Sequence, residues 1–128
     1  MQPKDQIILL VTEYLSRRPE VLFAYLFWSV TESDAFRDVD LGVYVDETIA
    51  DRFGYAFRMS GDLESLLGSR VDVICMNTAP DHMIHSISKG RVLINRDDDV
   101  RVDFITRSWS RYFDVQPRRL QAINDMLS

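Results

Sequence analysis

The chain has a single cysteine, Cys75, among its 128 residues. An internal disulfide framework is therefore excluded, and no oxidising compartment is implied. No stretch approaches the roughly 18 consecutive apolar residues of a membrane helix. The opening MQPKDQIILL has neither a long apolar run nor a small-residue cleavage site, so no secretory leader is expected and a cytoplasmic protein is the default. Repeats, low-complexity tracts and linkers are also missing, which leads us to expect one domain over residues 1–128. Positive charge is in short supply: 15 Lys and Arg stand against 20 Asp and Glu, a net charge of −5. Phosphate contacts need clustered cations, so a direct nucleic-acid surface is not expected. That balance suits a domain that gathers divalent cations or meets a basic partner. With 46% hydrophobic residues the chain has enough apolar material to build a packed core.

The patterning predicts an α/β (α+β) fold, a small mixed β-sheet with helices packed on it. Residues 5–18 carry apolar Ile8, Leu9, Val11 and Leu15 between charges, the mark of an amphipathic helix, and Arg17, Arg18 and Pro19 end it. Residues 21–29, VLFAYLFWS, are almost wholly apolar and suit a strand buried on both faces. In residues 38–46, Val39, Leu41, Val43 and Val45 alternate with Asp38, Asp40, Gly42 and Tyr44, so a second strand shows them opposite faces. A helix is expected over 48–60 with Gly61 as its stop, and a third strand over 70–76. Another helix should follow Pro80 and end at Gly90, and RVLIN should be a short strand or extended segment. Asp97, Asp98 and Asp99 should precede a helix with the stripe Val102, Ile105, Trp109 and Tyr112, and Pro117 should start a last helix. The first two strands, joined by a short connection, should pair antiparallel. The third, reached through a helical crossover, can pair parallel.

The segment from Ser29 to Asp40, taken with Asp72, carries the chemistry. Asp38 and Asp40 lie two apart on a strand, so both carboxylates leave the same face. Like charges held that close repel unless a cation intervenes, and Mg²⁺ takes oxygen ligands of this kind. Asp72, on a strand that can lie alongside, adds a third carboxylate. Three carboxylates can hold two metal ions roughly 3.5–4 Å apart, the arrangement that serves attacking and leaving oxygens in phosphoryl or nucleotidyl transfer. The ordinary explanation of an isolated Asp-x-Asp is a turn residue on a solvated strand face. What favours the metal site is the combination: a buried strand ending in Ser29, a short polar loop, the Asp-x-Asp strand, then a third Asp within a strand one helix later.

The runs LFAYLFWS, DVDLGVYVDE and SRVDVICMN resemble the nucleotidyltransferase fold shared with DNA polymerase beta, in the minimal form found as antitoxins beside HEPN ribonuclease toxins. The likeness continues through APDHMIHSISKGRVLINRDD to the helix ending in RYFD. The family signature is a Gly-Ser pair closing the first strand, a spacer, Asp-x-Asp on the second strand and a third acidic residue on a later one. Known members transfer AMP from ATP to a tyrosine of the HEPN partner, which silences it. The resemblance implies that Ser29 binds phosphate, that Asp38 and Asp40 bind Mg²⁺, and that Asp72 is the third carboxylate and the base for the incoming hydroxyl. Trp28 occupies the position of the family's glycine in the nucleotide site, where a side chain would crowd the triphosphate. In a regular strand the indole points to the face opposite Ser29. The spacer from Ser29 to Asp38 holds eight residues, about two fewer than the motif usually has. Val30, Thr31 and Glu32 replace basic and glycine residues, and Glu32 would repel phosphate. These departures favour weak or absent transfer over full activity.

Three functions compete. The first is an antitoxin that AMPylates a HEPN toxin with Mg²⁺ and ATP. The second is a catalytically degenerate module that inhibits or scaffolds the same partner by contact, and the third is a small-molecule nucleotidyltransferase. The third lacks a second domain for an acceptor pocket. A homo- or hetero-oligomer fits the first two. Elsewhere, His82 and His85 have a spacing a metal could use, but no cysteine or further histidine joins them, and surface polar residues are the simpler explanation. Cys75 reads as a small core residue, and Asp97 to Asp99 as helix caps. Arg101, Arg107, Arg111, Arg118 and Arg119 fit a solvated face, or contacts to an acidic partner or ATP. Trp109, Tyr112 and Phe113 suit a core or, if exposed, an interface anchor.

Overall fold

The computed structural model describes residues 3–27 and 38–127, with Pro3, Asp38, residues 115–124 and Leu127 described by backbone alone. Four strands form one sheet in the order β3-β2-β1-β4. They are β1 (Val21–Phe27), β2 (Asp38–Val45), β3 (Arg70–Cys75) and β4 (Arg91–Asn95). β1 pairs antiparallel with β2 and β4, and β2 pairs parallel with β3. The expected pairings are thus observed, and RVLIN is a true strand. The central position of β1 explains its continuous apolar run, because neither of its faces meets water.

Helices cover both faces of the sheet. On one side α1 (Pro3–Ser16) and α2 (Arg52–Leu67) pack on Val39, Leu41, Val43 and Val45. The inward stripe of α1 is Ile7, Val11 and Leu15, while Leu9 is exposed. On the other side α3 (Asp81–Ser88) and α4 (Asp98–Leu127) enclose Phe23, Tyr25, Met76, Ile84 and Ile87. Phe23 stacks on Tyr44 at 4.8 Å, and Phe104 of α4 leans on both rings. Among the described residues no helix is long and apolar enough to cross a membrane.

Three boundaries differ from the expected ones. Gly61 lies inside α2 with open space around it, and the helix runs on to Leu67. The stop is Gly68, whose φ of 69° suits a residue without Cβ and whose N–H reaches the Glu64 carbonyl at 2.8 Å. The start of α2 is set by Asp51, whose carboxylate accepts from the Gly54 N–H at 2.9 Å. Pro117 starts no new helix, since α4 is continuous from Asp98 to Leu127. A proline within a helix removes one hydrogen bond, which need not break it. As expected, Asp97 caps α4, accepting from the Val100 N–H at 3.1 Å.

Arg96 joins the two sides of the sheet. Its guanidinium donates to the carbonyls of Leu15 at 2.9 Å, Ser16 at 3.1 Å and Val21 at 3.0 Å. Its backbone N–H donates to Leu22 at 2.7 Å. The orphan carbonyls at the end of α1 are thereby satisfied by a cation from the far end of β4, where the helix dipole also favours positive charge. Nothing in the local sequence announces that role.

Candidate functional site

The parallel register of β2 with β3 places Asp40 directly opposite Asp72 and Asp38 opposite Arg70. On its other flank Asp40 pairs with Phe27, the last residue of β1. Paired residues on neighbouring strands sit about 5 Å apart and point to the same side. The sheet itself therefore brings Asp40 and Asp72 together on the α3–α4 face, where β1 ends and β2 begins. Asp40 is 6% exposed. The side chain of Asp72 is about half exposed, with the Arg70 guanidinium 3.7 Å away.

Of the five residues expected at the site, the structure brings Asp40 and Asp72 together. The backbone of Asp38 is two residues up the same strand, on the same face by alternation. Trp28 and Ser29 lie outside the described residues, as do Val30, Thr31 and Glu32. Among the described residues no group of three or more His, Cys, Asp or Glu side chains is arranged to hold a metal ion. Two carboxylates are nonetheless a donor set that fits a hard divalent cation completed by water.

The cleft in front of these carboxylates has a volume of about 580 Å³. Asp40, Asp72 and Ile74 form its floor, Thr78 and Met83 one side, and Phe53, Ala56, Phe57 and Ser60 of α2 the other. The Ser60 hydroxyl accepts from the Val73 N–H at 3.1 Å, tying the edge strand to α2. Gly42 lets α3 approach the sheet beneath the site, because a Cβ there would sit 2.7 Å from Cγ2 of Ile87 and 3.2 Å from the Met76 sulfur.

Asn77 is a residue that sequence reasoning missed. Its side-chain amide accepts from the Val45 N–H at 2.9 Å and donates to the Val45 carbonyl at 2.9 Å, closing the end of β2 as another strand would. The Cys75 thiol contacts the same amide at 3.2 Å, and burial pushes the thiol pKa up. Cys75 packs against the core as expected.

The arginines of α4 divide. Arg101 donates to the Tyr25 hydroxyl and to Asp98, both at 2.8 Å. Arg111 makes two hydrogen bonds to Asp81 at 3.0 Å, and the buried Ser108 adds one at 2.8 Å. The Arg111 guanidinium, helped by Ser108, holds the Asp81 carboxyl below the ordinary carboxylate range. These residues bind α3 to α4. Arg107 pairs with Asp103 on the helix surface at 3.0 Å, and the side chains of Arg118 and Arg119 are outside the description. His82 is exposed, whereas His85 stacks on Tyr112 at 4.4 Å beside Trp109 and Phe113. The histidine pair thus serves an aromatic cluster, with Trp109 donating to Ser88 at 2.8 Å.

Three solved structures share the fold. One is a complex from Shewanella oneidensis, a tri-AMPylated HEPN toxin with its MNT antitoxin, at 19% identity and a TM-score of 0.72, covering 99% of this chain and 100% of the matched one. Another is the toxin–antitoxin complex MntA–HepT, at 20% identity and a TM-score of 0.67, covering 98% and 97%. A third is a toxin–antitoxin complex with AMP-PNP, at 22% identity and a TM-score of 0.72, covering 94% and 98%. At this level of identity the likeness is one of fold. No curated protein matches the chain. Residues 10–99 match the family described as polymerase beta, nucleotidyltransferase. That span takes in all three aspartates and all four strands, and the chain belongs to the polymerase beta nucleotidyltransferase family.

Proposed function

We propose that the chain is a minimal nucleotidyltransferase antitoxin that binds a HEPN ribonuclease toxin and silences it by transferring AMP from ATP to a toxin tyrosine. The observation that carries this reading is the register of Asp40 with Asp72. Two like charges directly opposite each other across a sheet destabilise it. A domain kept for contact alone gains nothing from that pair, whereas a domain that must hold Mg²⁺ needs it. The fold shared with chains from AMPylating and AMP-PNP-bound toxin–antitoxin complexes agrees with it.

In this reading Asp38, Asp40 and Asp72 hold Mg²⁺, which when bound neutralises the triphosphate and the charge that develops on it. Ser29 binds phosphate. Asp72 takes the proton as the tyrosine oxygen forms a bond to the α-phosphorus. The bond from that phosphorus to the β-phosphate oxygen breaks, and pyrophosphate leaves. Asp40, nearly buried at the floor of the cleft, fixes the position at which this happens.

A second reading, a degenerate binding module of the same fold, is favoured by Trp28 in the glycine position. Calorimetric titration of ATP with Mg²⁺ into the natural chain and Trp28→Gly separates the two. The natural chain is expected to bind at micromolar Kd, about −8 kcal/mol. Binding restored only in Trp28→Gly would overturn the catalytic reading in favour of the module.

A further inference from the structure

The cleft in front of Asp72 has a wall that catalysis by carboxylates does not explain. Phe53 is 83% exposed and Phe57 is 72% exposed. They stand one helical turn apart on α2, so their rings share a face, and both line the cleft that holds Asp40 and Asp72. Single exposed apolar residues are common, but a pair of phenylalanines at the mouth of a polar cleft is a surface that gains from being covered.

The charges around the cleft decide what covers it. Asp40 and Asp72 are the charged residues among its lining, and neither lysine nor arginine lines it. A triphosphate on this wall would meet carboxylates and aromatic rings with no cation to receive it. Positive charge gathers at the opposite edge of the sheet, where Lys4, Lys89 and Arg91 line a separate cleft of about 490 Å³ near the end of β1. β3 is the edge strand on the phenylalanine side, so no further strand stands outside Asp72 to keep a second protein away. An uncharged aromatic hydroxyl suits this entrance: its ring can pack on Phe53 and Phe57 edge to face while its oxygen reaches toward Asp72.

We infer that Phe53 and Phe57 form the docking wall for the acceptor, a tyrosine-bearing segment of the partner toxin, and so set the preference for a protein acceptor over a small molecule. This rests on the antitoxin reading above. The phenylalanines are positioning residues: they hold the segment that carries the hydroxyl and take no part in bond making.

The test uses the full chain, its Phe53→Ser/Phe57→Ser and Phe53→Leu/Phe57→Leu variants, and the HEPN toxin from the same genome. Mg-ATP affinity is read by calorimetry, toxin affinity by the same method, and AMP transfer by steady-state kinetics. The serine variant is expected to keep its ATP affinity within twofold, to raise the KM for toxin tenfold or more, and to leave kcat within threefold. The leucine variant should recover most of the KM. An unchanged KM and toxin affinity in the serine variant would overturn the inference, as would a parallel loss of ATP affinity, which would assign the wall to the nucleotide base. The natural chain reports on the antitoxin reading separately. If it binds toxin without transferring AMP, the docking wall is decided by toxin affinity in the variants. If it neither binds nor modifies toxin, the antitoxin reading and this inference fall together.

Discussion

Asp40→Asn is expected to lower AMP transfer to the toxin by about a thousandfold or more, since losing a carboxylate of a metal-centred site forfeits several kcal/mol of transition-state stabilisation. Asp72→Asn should lower it similarly, by removing both a ligand and the base. Neither change should unfold the domain. Asp40 and Asp72 face each other across β2 and β3, and replacing one of two like charges relieves a repulsion of up to about 1 kcal/mol. The thermal midpoint should therefore hold or rise while activity falls. That opposition separates a catalytic role from a structural one, because a structural residue loses stability and activity together. Full transfer by the Asp40→Asn/Asp72→Asn double variant would remove the carboxylates from the chemistry.

Phe23→Ala should have the largest effect on stability, about 3–5 kcal/mol. The ring is fully buried in the centre of the sheet. It stacks on Tyr44 of β2 and meets Tyr25 edge to face, with Phe104 of α4 against it. Removing it deletes contacts among three elements at once and leaves a cavity between sheet and α4 that rigid neighbouring strands cannot close. For a domain with a typical stability of roughly 5–15 kcal/mol that loss is severe. Chemical denaturation should show it as a lowered midpoint. A change below about 1 kcal/mol would mean that the α3–α4 side of the sheet is not packed as described.

The strands and the carboxylates were legible because their signals are local and periodic. The alternation from Asp38 to Tyr44 assigned two faces to β2, and the unbroken apolar run of β1 announced a strand with no wet face. The parallel pairing followed from the crossover through α2. The misplaced boundaries have an equally local origin. Gly61 and Gly68 are the same residue type, and what distinguishes them is that Gly68 must adopt a positive φ to close the helix, a demand visible once the chain has turned. Pro117 looked like a start because proline suits a first turn, yet α4 continues through it. Arg96, Asn77 and the Asp81–Arg111–Ser108 clamp could not be found by pattern. Their partners lie far away in sequence, and a single polar residue carries no period. The phenylalanine wall stayed hidden for another reason: Phe53 and Phe57 at helical spacing look like core until the fold shows them on the outside.

The site was legible in type and register, and its phosphate side was legible as a set of departures. Trp28, the eight-residue spacer and Glu32 argued for weak transfer, whereas the paired carboxylates argue for a working one. The most direct measurement is the intact mass of the HEPN toxin from the same genome after incubation with the natural chain, ATP and Mg²⁺. The proposed function predicts a toxin heavier by one or more adenylyl groups, on tyrosine, and no gain with Asp40→Asn/Asp72→Asn. A toxin that binds the chain yet keeps its mass would contradict it and leave a fold that acts by contact.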